Sequence, residues 1–306
     1  MFGLCACMTL DFAMPLTLFL VTLLSMFLNR KTEDKLKGAF EERELRVQDA
    51  ALLVGMMAVM VTVIVFVQQI SVVLMVLFLF SYSMLLFIFG YMFSKNRWYI
   101  GIIGPAVFIL LYVFLRDTLI WRLYLADIYG LVFAVLITLY LATLYTWKTT
   151  AVFGALITVM DIILVLVTKT MVEAASAATS LSLPVLVSVP LLPLVITEKG
   201  MLWMSLGLGD FFFSGLLAIQ TLKKYGKRYA ILSAIAMAIS FSIFEAFILN
   251  SNVRAFPGTL MIICGWIPLV LYKTLRNNHT FQNAWALVTS KIKHWSWARV
   301  KDRAFT

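Results

Sequence analysis

The chain has 306 residues, 62% of them hydrophobic and 13% charged, with a mean hydropathy of +0.97. A soluble domain of this length needs far more polar surface, so the composition excludes one and points to a membrane protein with many spans. The net charge of +10 does not signal nucleic acid, because basic residues of membrane proteins gather in cytoplasmic loops.

The apolar runs are continuous rather than short and alternating, which predicts α-helices and excludes a membrane β-barrel. Nine spans are expected, at 9–28, 49–67, 70–93, 100–115, 124–146, 150–168, 199–221, 229–249 and 256–274. The first lacks a basic leader and a small-residue cleavage site, so it reads as a retained helix. Asp11 lies near its start and reads as interfacial. The second and third are separated near "VQQIS" because 49–93 is too long for one helix. The fourth is short and holds Gly101, Gly104 and Pro105. Asp127 lies near the start of the fifth, and Glu245 about a turn from the end of the eighth, within reach of the interface.

Residues 169–198 interrupt the pattern. They begin with the small, polar "KTMVEAASAATS" and continue as "LSLPVLVSVPLLPLV". Pro184, Pro190 and Pro193 argue against a tenth helix, since each removes a helix hydrogen bond. The β-branched "VLVSV" suits an extended strand, so a loop with strand character is expected against the bundle.

Charge placement gives an orientation. Six basic residues lie between spans one and two, two follow span three, one follows span five, four follow span seven, and seven lie from Lys273 onward, 20 in all. Arg116, Arg122, Lys169, Lys199 and Arg254 make five on the other side. This places the N-terminus outside and the C-terminus in the cytoplasm. The tail 276–306 mixes Trp285, Trp295 and Trp297 with lysines and arginines and reads as an amphipathic helix on the bilayer surface. Cys5, Cys7 and Cys264 are too few for a disulfide framework. Neither the cysteines nor His279 and His294 form a metal-binding pattern, and no phosphate loop is visible. No cofactor is expected.

Two acids lie deep in spans. Asp161 is eight residues before Lys169, or about 12 Å along a helix, and Asp210 is eleven after Lys199, or about 16 Å. Spans six and seven meet on the outer side, so both acids reach similar depth and can approach each other. Ionisable groups inside a membrane usually face a bundle interior or a water pocket. Gly207, Gly209 and Gly215 around Asp210 let helix backbones come close and leave room for a substrate backbone. Two adjacent carboxyl groups share a proton, one serving as acid and the other as base, which can direct water onto an amide carbonyl without a metal. The same acids also suit an ion path in a proton- or cation-coupled transporter, and the residues alone do not choose.

The stretch Gly207, Leu208, Gly209, Asp210 ("GLGD") resembles the GxGD motif of the presenilin and signal peptide peptidase family of intramembrane aspartyl proteases. Asp161 matches the family's other catalytic aspartate, and "DIILVLVTKTMVEAASAATSLSLPVLVSVP" resembles archaeal presenilin homologues. The likeness covers spans six to nine, and the first five in span number. Two positions depart from the pattern. Met160 stands where the family has a tyrosine, and Pro257, Gly258, Thr259 and Leu260 stand at its Pro-Ala-Leu motif.

The resemblance implies a nine-helix, all-α, presenilin-like membrane protein, with a scaffold over 1–148, catalytic helices over 149–275 and the tail over 276–306. Asp161 and Asp210 would be catalytic, supported by the glycines beside Asp210 and by the segment at Pro257. Substrates would be transmembrane helices of proteins or signal peptides, without nucleic acid or metal. The segment Pro184, Val185, Leu186, Val187, Ser188 and Val189 would pair with an unwound substrate by strand addition. An inactive member that binds membrane helices is the remaining alternative.

Overall fold

The computed structural model describes residues 10–39, 45–67, 71–94, 97–194, 196–197, 200–251, 253 and 255–277. Cys5, Cys7 and the tail beyond residue 277, with both histidines and the three tryptophans expected on an amphipathic helix, lie outside the described residues.

The chain runs through α1 (Ala13–Ala39), α2 (Val47–Val67), α3 (Ser71–Phe93) and α4 (Trp98–Leu115), then a π-helical turn (Trp121–Leu125) into α5 (Ala126–Leu144). Next, α6 (Trp147–Ile162) ends in a second π-helical turn (Ile163–Val167), followed by α7 (Thr170–Ser180). Four short strands come next, β1 (Leu186–Pro190), β2 (Ile196–Thr197), β3 (Gly200–Met201) and β4 (Trp203–Gly207), and then α8 (Leu208–Tyr225), α9 (Lys227–Leu249) and α10 (Gly258–Asn277). Arg276, assigned to the tail from the sequence, belongs to α10.

Among the described residues, eight helical segments are long and apolar enough to cross a membrane. They match eight of the nine expected spans, and the protein is a multi-pass membrane protein. The seventh expected span differs. Residues 203–207 are strand and the helix starts only at Leu208. The resulting α8 has 18 residues and carries Asp210, Lys223 and Lys224, too many charges for a lipid-facing helix. It is instead the inner helix, with every residue from 211 to 221 buried. It packs on α1, α5, α6 and α9. A Cβ added at Gly215 would stand 2.7 Å from Thr138 Cγ2 on α5, so this crossing requires glycine.

Local chemistry sets several ends. Thr146 caps α6, its hydroxyl accepting the Thr149 N–H while the Thr149 hydroxyl accepts the Thr146 N–H. Gly226, at φ 85°, turns the chain from α8 into α9. Lys169 takes the left-handed conformation, at φ 60°, between the π turn and α7.

The expected loop at 169–198 is partly helical, since its small-residue half forms α7. Its proline-valine half is a strand, as expected. β1 pairs antiparallel with β4, with Leu186 opposite Gly207 and Pro190 opposite Trp203. β2 and β3 form a second two-stranded sheet.

The contacts divide the chain into two compact units, Met1–Trp266 and Ile267–Thr306. The described part of the second unit is the end of α10, residues 267–277, which contains Pro268.

Candidate active site

Asp161 stands in the last turn of α6, immediately before a π-helical turn, a distortion that often occurs at functional positions. Its side chain is buried. Asp210 stands in the first turn of α8 rather than eleven residues inside a helix. The depth reckoned from helical rise therefore does not apply, because 203–207 is extended.

The start of α10 lies between the two acids. The Thr259 hydroxyl donates to Asp161 Oδ2 at 2.7 Å, and the Thr259 N–H reaches the same oxygen at 3.3 Å. The preceding residue faces the other acid, since a Cβ added at Gly258 would stand 2.5 Å from both Cγ and Oδ1 of Asp210. Successive Cα atoms are about 3.8 Å apart, so one peptide unit touches both carboxyl groups. The two acids lie within electrostatic reach of each other.

This geometry explains the glycine at 258. Any side chain there meets the Asp210 carboxyl group. Pro257 is buried beside it, and Leu260 is half-buried. On the other flank, a Cβ at Gly207 would lie 3.3 Å from Asp210 Oδ2, while one at Gly209 would meet nothing within 4 Å. Gly209 is exposed, so the acid is open on that side.

The β1–β4 sheet leads directly into this site. The Leu208 N–H donates to the Val185 carbonyl at 3.2 Å, extending the ladder to within two residues of Asp210. Leu208 and Val187 share the space above Gly130 on α5, where a Cβ would lie 3.2 Å from one and 3.3 Å from the other. Of the six residues expected to bind substrate, Val185 to Val189 are thus already paired on one edge, with β4 and Leu208, while Pro184 lies outside the ladder. On the opposite edge the Ser188 N–H donates to Asp127 Oδ1 at 2.9 Å. Residues 202, 204, 206 and 208 face β1, as the bonds at both ends of the ladder show. The backbone groups of Trp203, Ser205 and Gly207 point outward, away from β1.

Sequence reasoning missed the residues that hold this sheet. The carbonyls of Leu181, Ser182 and Pro184 accept hydrogen bonds from Tyr112 Oη at 2.7 Å, Trp121 Nε1 at 2.8 Å and Tyr82 Oη at 3.2 Å. All three donors come from the α3–α5 region. Their rings are buried, Tyr82 stacking on Phe133 at 4.1 Å and Tyr112 meeting Trp121 edge-on at 5.5 Å. A buried tyrosine or tryptophan needs a partner for its polar tip, and an extended segment has carbonyls to offer. The signal was the presence of polar-tipped rings in otherwise apolar spans, but nothing local names their acceptors.

Lys169 is exposed and does not contact the dyad. Among the described residues no cluster of histidine, cysteine or acid has the makings of a metal site. Neither a protein-family model nor a curated protein sequence matches the chain.

Proposed function

We propose that this protein is an intramembrane aspartyl protease that hydrolyses peptide bonds in transmembrane helices of membrane proteins or signal peptides. The observation that carries the reading is the pair Gly258–Thr259, whose consecutive residues touch Asp210 and Asp161 respectively. The GLGD sequence supports it through its resemblance to the GxGD proteases.

In this reading the two carboxyl groups hold one proton between them. The ionised one takes a proton from water as the oxygen attacks the amide carbon, and the protonated one gives its proton to the carbonyl oxygen. Collapse of the tetrahedral intermediate breaks the C–N bond, and the leaving nitrogen takes up a proton. The hydroxyl and N–H of Thr259 fix one oxygen of Asp161, which orients the other toward the reacting atoms.

A helix hides its amides in its own hydrogen bonds, so the substrate has to unwind. The outward edge of β4 offers hydrogen-bonding groups to an unwound segment, and this edge ends at Gly207, three residues from Asp210. Substrate then adds to β4, while Pro184 to Val189 form the backing strand. The orientation read from the charges, N-terminus outside and C-terminus cytoplasmic, matches signal peptide peptidases and is opposite to presenilins. It favours substrates whose own N-terminus lies in the cytoplasm. Cysteine-accessibility labelling at 223–228 checks it, since labelling from outside would reverse the topology.

The decisive experiment incubates the purified chain in detergent with a helical membrane substrate. Cleavage by wild type and none by Asp161→Asn or Asp210→Asn is expected. Cleavage that survives in either variant rejects the dyad. Ion flux in liposomes without cleavage supports the transporter instead.

A further inference from the structure

Away from the candidate dyad, the fold encloses another pair of acids. Glu245, on α9, is 0% exposed, and Asp11, just before α1, is 1% exposed. The sequence placed both near the interface, and the fold encloses both in protein.

Asp11 is an acceptor throughout. Its Oδ1 receives the Ala13 N–H at 2.9 Å and the Leu192 N–H at 2.8 Å, and its Oδ2 receives the Met14 N–H at 3.3 Å. It therefore caps α1 and holds the segment just after β1. The Phe12 N–H completes the junction by donating to the Leu192 carbonyl at 3.0 Å.

Glu245 has the opposite situation. Among the described residues no N–H or O–H reaches either of its carboxyl oxygens. The polar group within hydrogen-bonding reach is the Asp11 carboxyl. Two carboxylates have no hydrogen to share, so this contact needs a proton. Asp11 spends its oxygens on backbone N–H groups, which leaves Glu245 as the donor.

We propose that Asp11 and Glu245 form a proton-binding site that fastens the start of α1, and the chain just after β1, to α9. With the proton, a Glu245 O–H donates to the Asp11 carboxylate and satisfies both groups. Without it, two like charges face each other where water is excluded, and the junction is driven apart. On α1 and α8, the helices packed on α9, and among the other described residues, Asp11 just before α1 is the titratable group that acts on Glu245. The site is separate from the proposed dyad and does not depend on proteolysis.

The sign follows from proton stoichiometry. In an unfolded chain at neutral pH both carboxyl groups are ionised. The folded chain holds one proton that the unfolded chain has released, so its stability falls as pH rises. One proton corresponds to about a ten-fold change in the unfolding constant per pH unit.

The test is thermal unfolding of the full chain in detergent from about pH 5 to about pH 9, a range that brackets the ordinary neutral region. Glu245→Gln keeps the size and an N–H donor for Asp11 but has nothing to titrate. Wild type is expected to lose stability with rising pH more steeply than Glu245→Gln, by up to about ten-fold per unit. Parallel profiles would overturn the proposal. Where the variant fails to fold, infrared spectroscopy of wild type decides. A protonated carboxylic acid band that shifts on carbon-13 labelling of glutamate is expected at neutral pH, and its absence overturns the site. Because neither readout measures cleavage, failure here leaves the dyad untouched, and an inactive dyad leaves this site untouched.

Discussion

Helices α3 and α8 show how one membrane protein uses two kinds of helix. α3 has no charged residue and turns Val72, Phe80 and Met84 outward, each more than half exposed. α8 is buried along 211–221 and carries Asp210, Ser214, Gln220 and Thr221. Each of the last three has a partner. Ser214 meets the Thr22 hydroxyl at 2.9 Å, Gln220 donates to the Tyr145 carbonyl at 2.7 Å, and Thr221 receives the Trp266 Nε1–H at 2.9 Å. A helix facing lipid has few groups to pair with beyond its own backbone, as Ser81 does by donating to the Leu77 carbonyl, so its side chains are mostly apolar. A helix enclosed by protein can hold polar groups wherever its neighbours complete them. Hydropathy therefore picks out the scaffold most clearly and the central helix least clearly, and the chemistry lies in the latter.

Substitutions break or sharpen this contrast. The largest expected effect is on activity. Asparagine at 161 or 210 should lower the cleavage rate by at least ~10³-fold, since it removes a proton-transferring group from a two-acid unit, while the thermal midpoint stays near that of wild type. Gly258→Ala comes next. Its methyl needs the space of the Asp210 carboxyl, which must move by about 1 Å, a displacement that costs on the order of 10²-fold. The same assay, with a melting curve as control, measures it.

Stability effects are smaller. Gly215→Leu overfills the crossing of α8 and α5 and should destabilise by about 1–3 kcal/mol. Gln220→Leu leaves the Tyr145 carbonyl without its donor and should cost about 1–2 kcal/mol. Phe114→Leu tests the other side of the comparison. That ring on α4 is 75% exposed, so the change should stay within about 0.5 kcal/mol. Thermal unfolding in detergent ranks all three. A lipid-facing substitution as damaging as Gly215→Leu would refute the division into outer and central helices.

Much of the architecture was legible because bilayer-length apolar runs leave few alternatives. Pro184, Pro190 and Pro193 correctly forbade a helix there. The stretch before Leu208 was misread because an apolar strand running into a helix looks like more of the same helix, and periodicity does not separate them over so few residues. Its partner, β1, decides, and although strand character was expected there, nothing in the sequence pairs it with 203–207. The reading of 169–180 failed for the converse reason. Small polar residues suggest a loop, but α7 buries Ala174 and Ala178, and tertiary packing outweighs weak local preference.

At the site, Asp161 and Asp210 stood out because charge inside an apolar run is costly and therefore conspicuous. Gly258 looked like a departure from a motif, and only its distance to Asp210 gave it a reason. Asp127, Tyr82, Tyr112 and Trp121 were visible as polar residues but not as the holders of β1. Their bonds span 61 to 102 residues, and no local pattern carries that information.

By itself the sequence determined that this chain lives in a membrane, roughly where it crosses, and which acids pay no heed to that environment. Those properties follow from transferring each segment into hydrocarbon, a cost that is local and nearly additive along the chain. Tertiary structure alone decided that 203–207 is a strand, that α8 lies inside, and that Asp11 and Glu245 are enclosed by protein. Such outcomes depend on hydrogen-bond partners and contacts between distant segments, which exist only once the chain has folded.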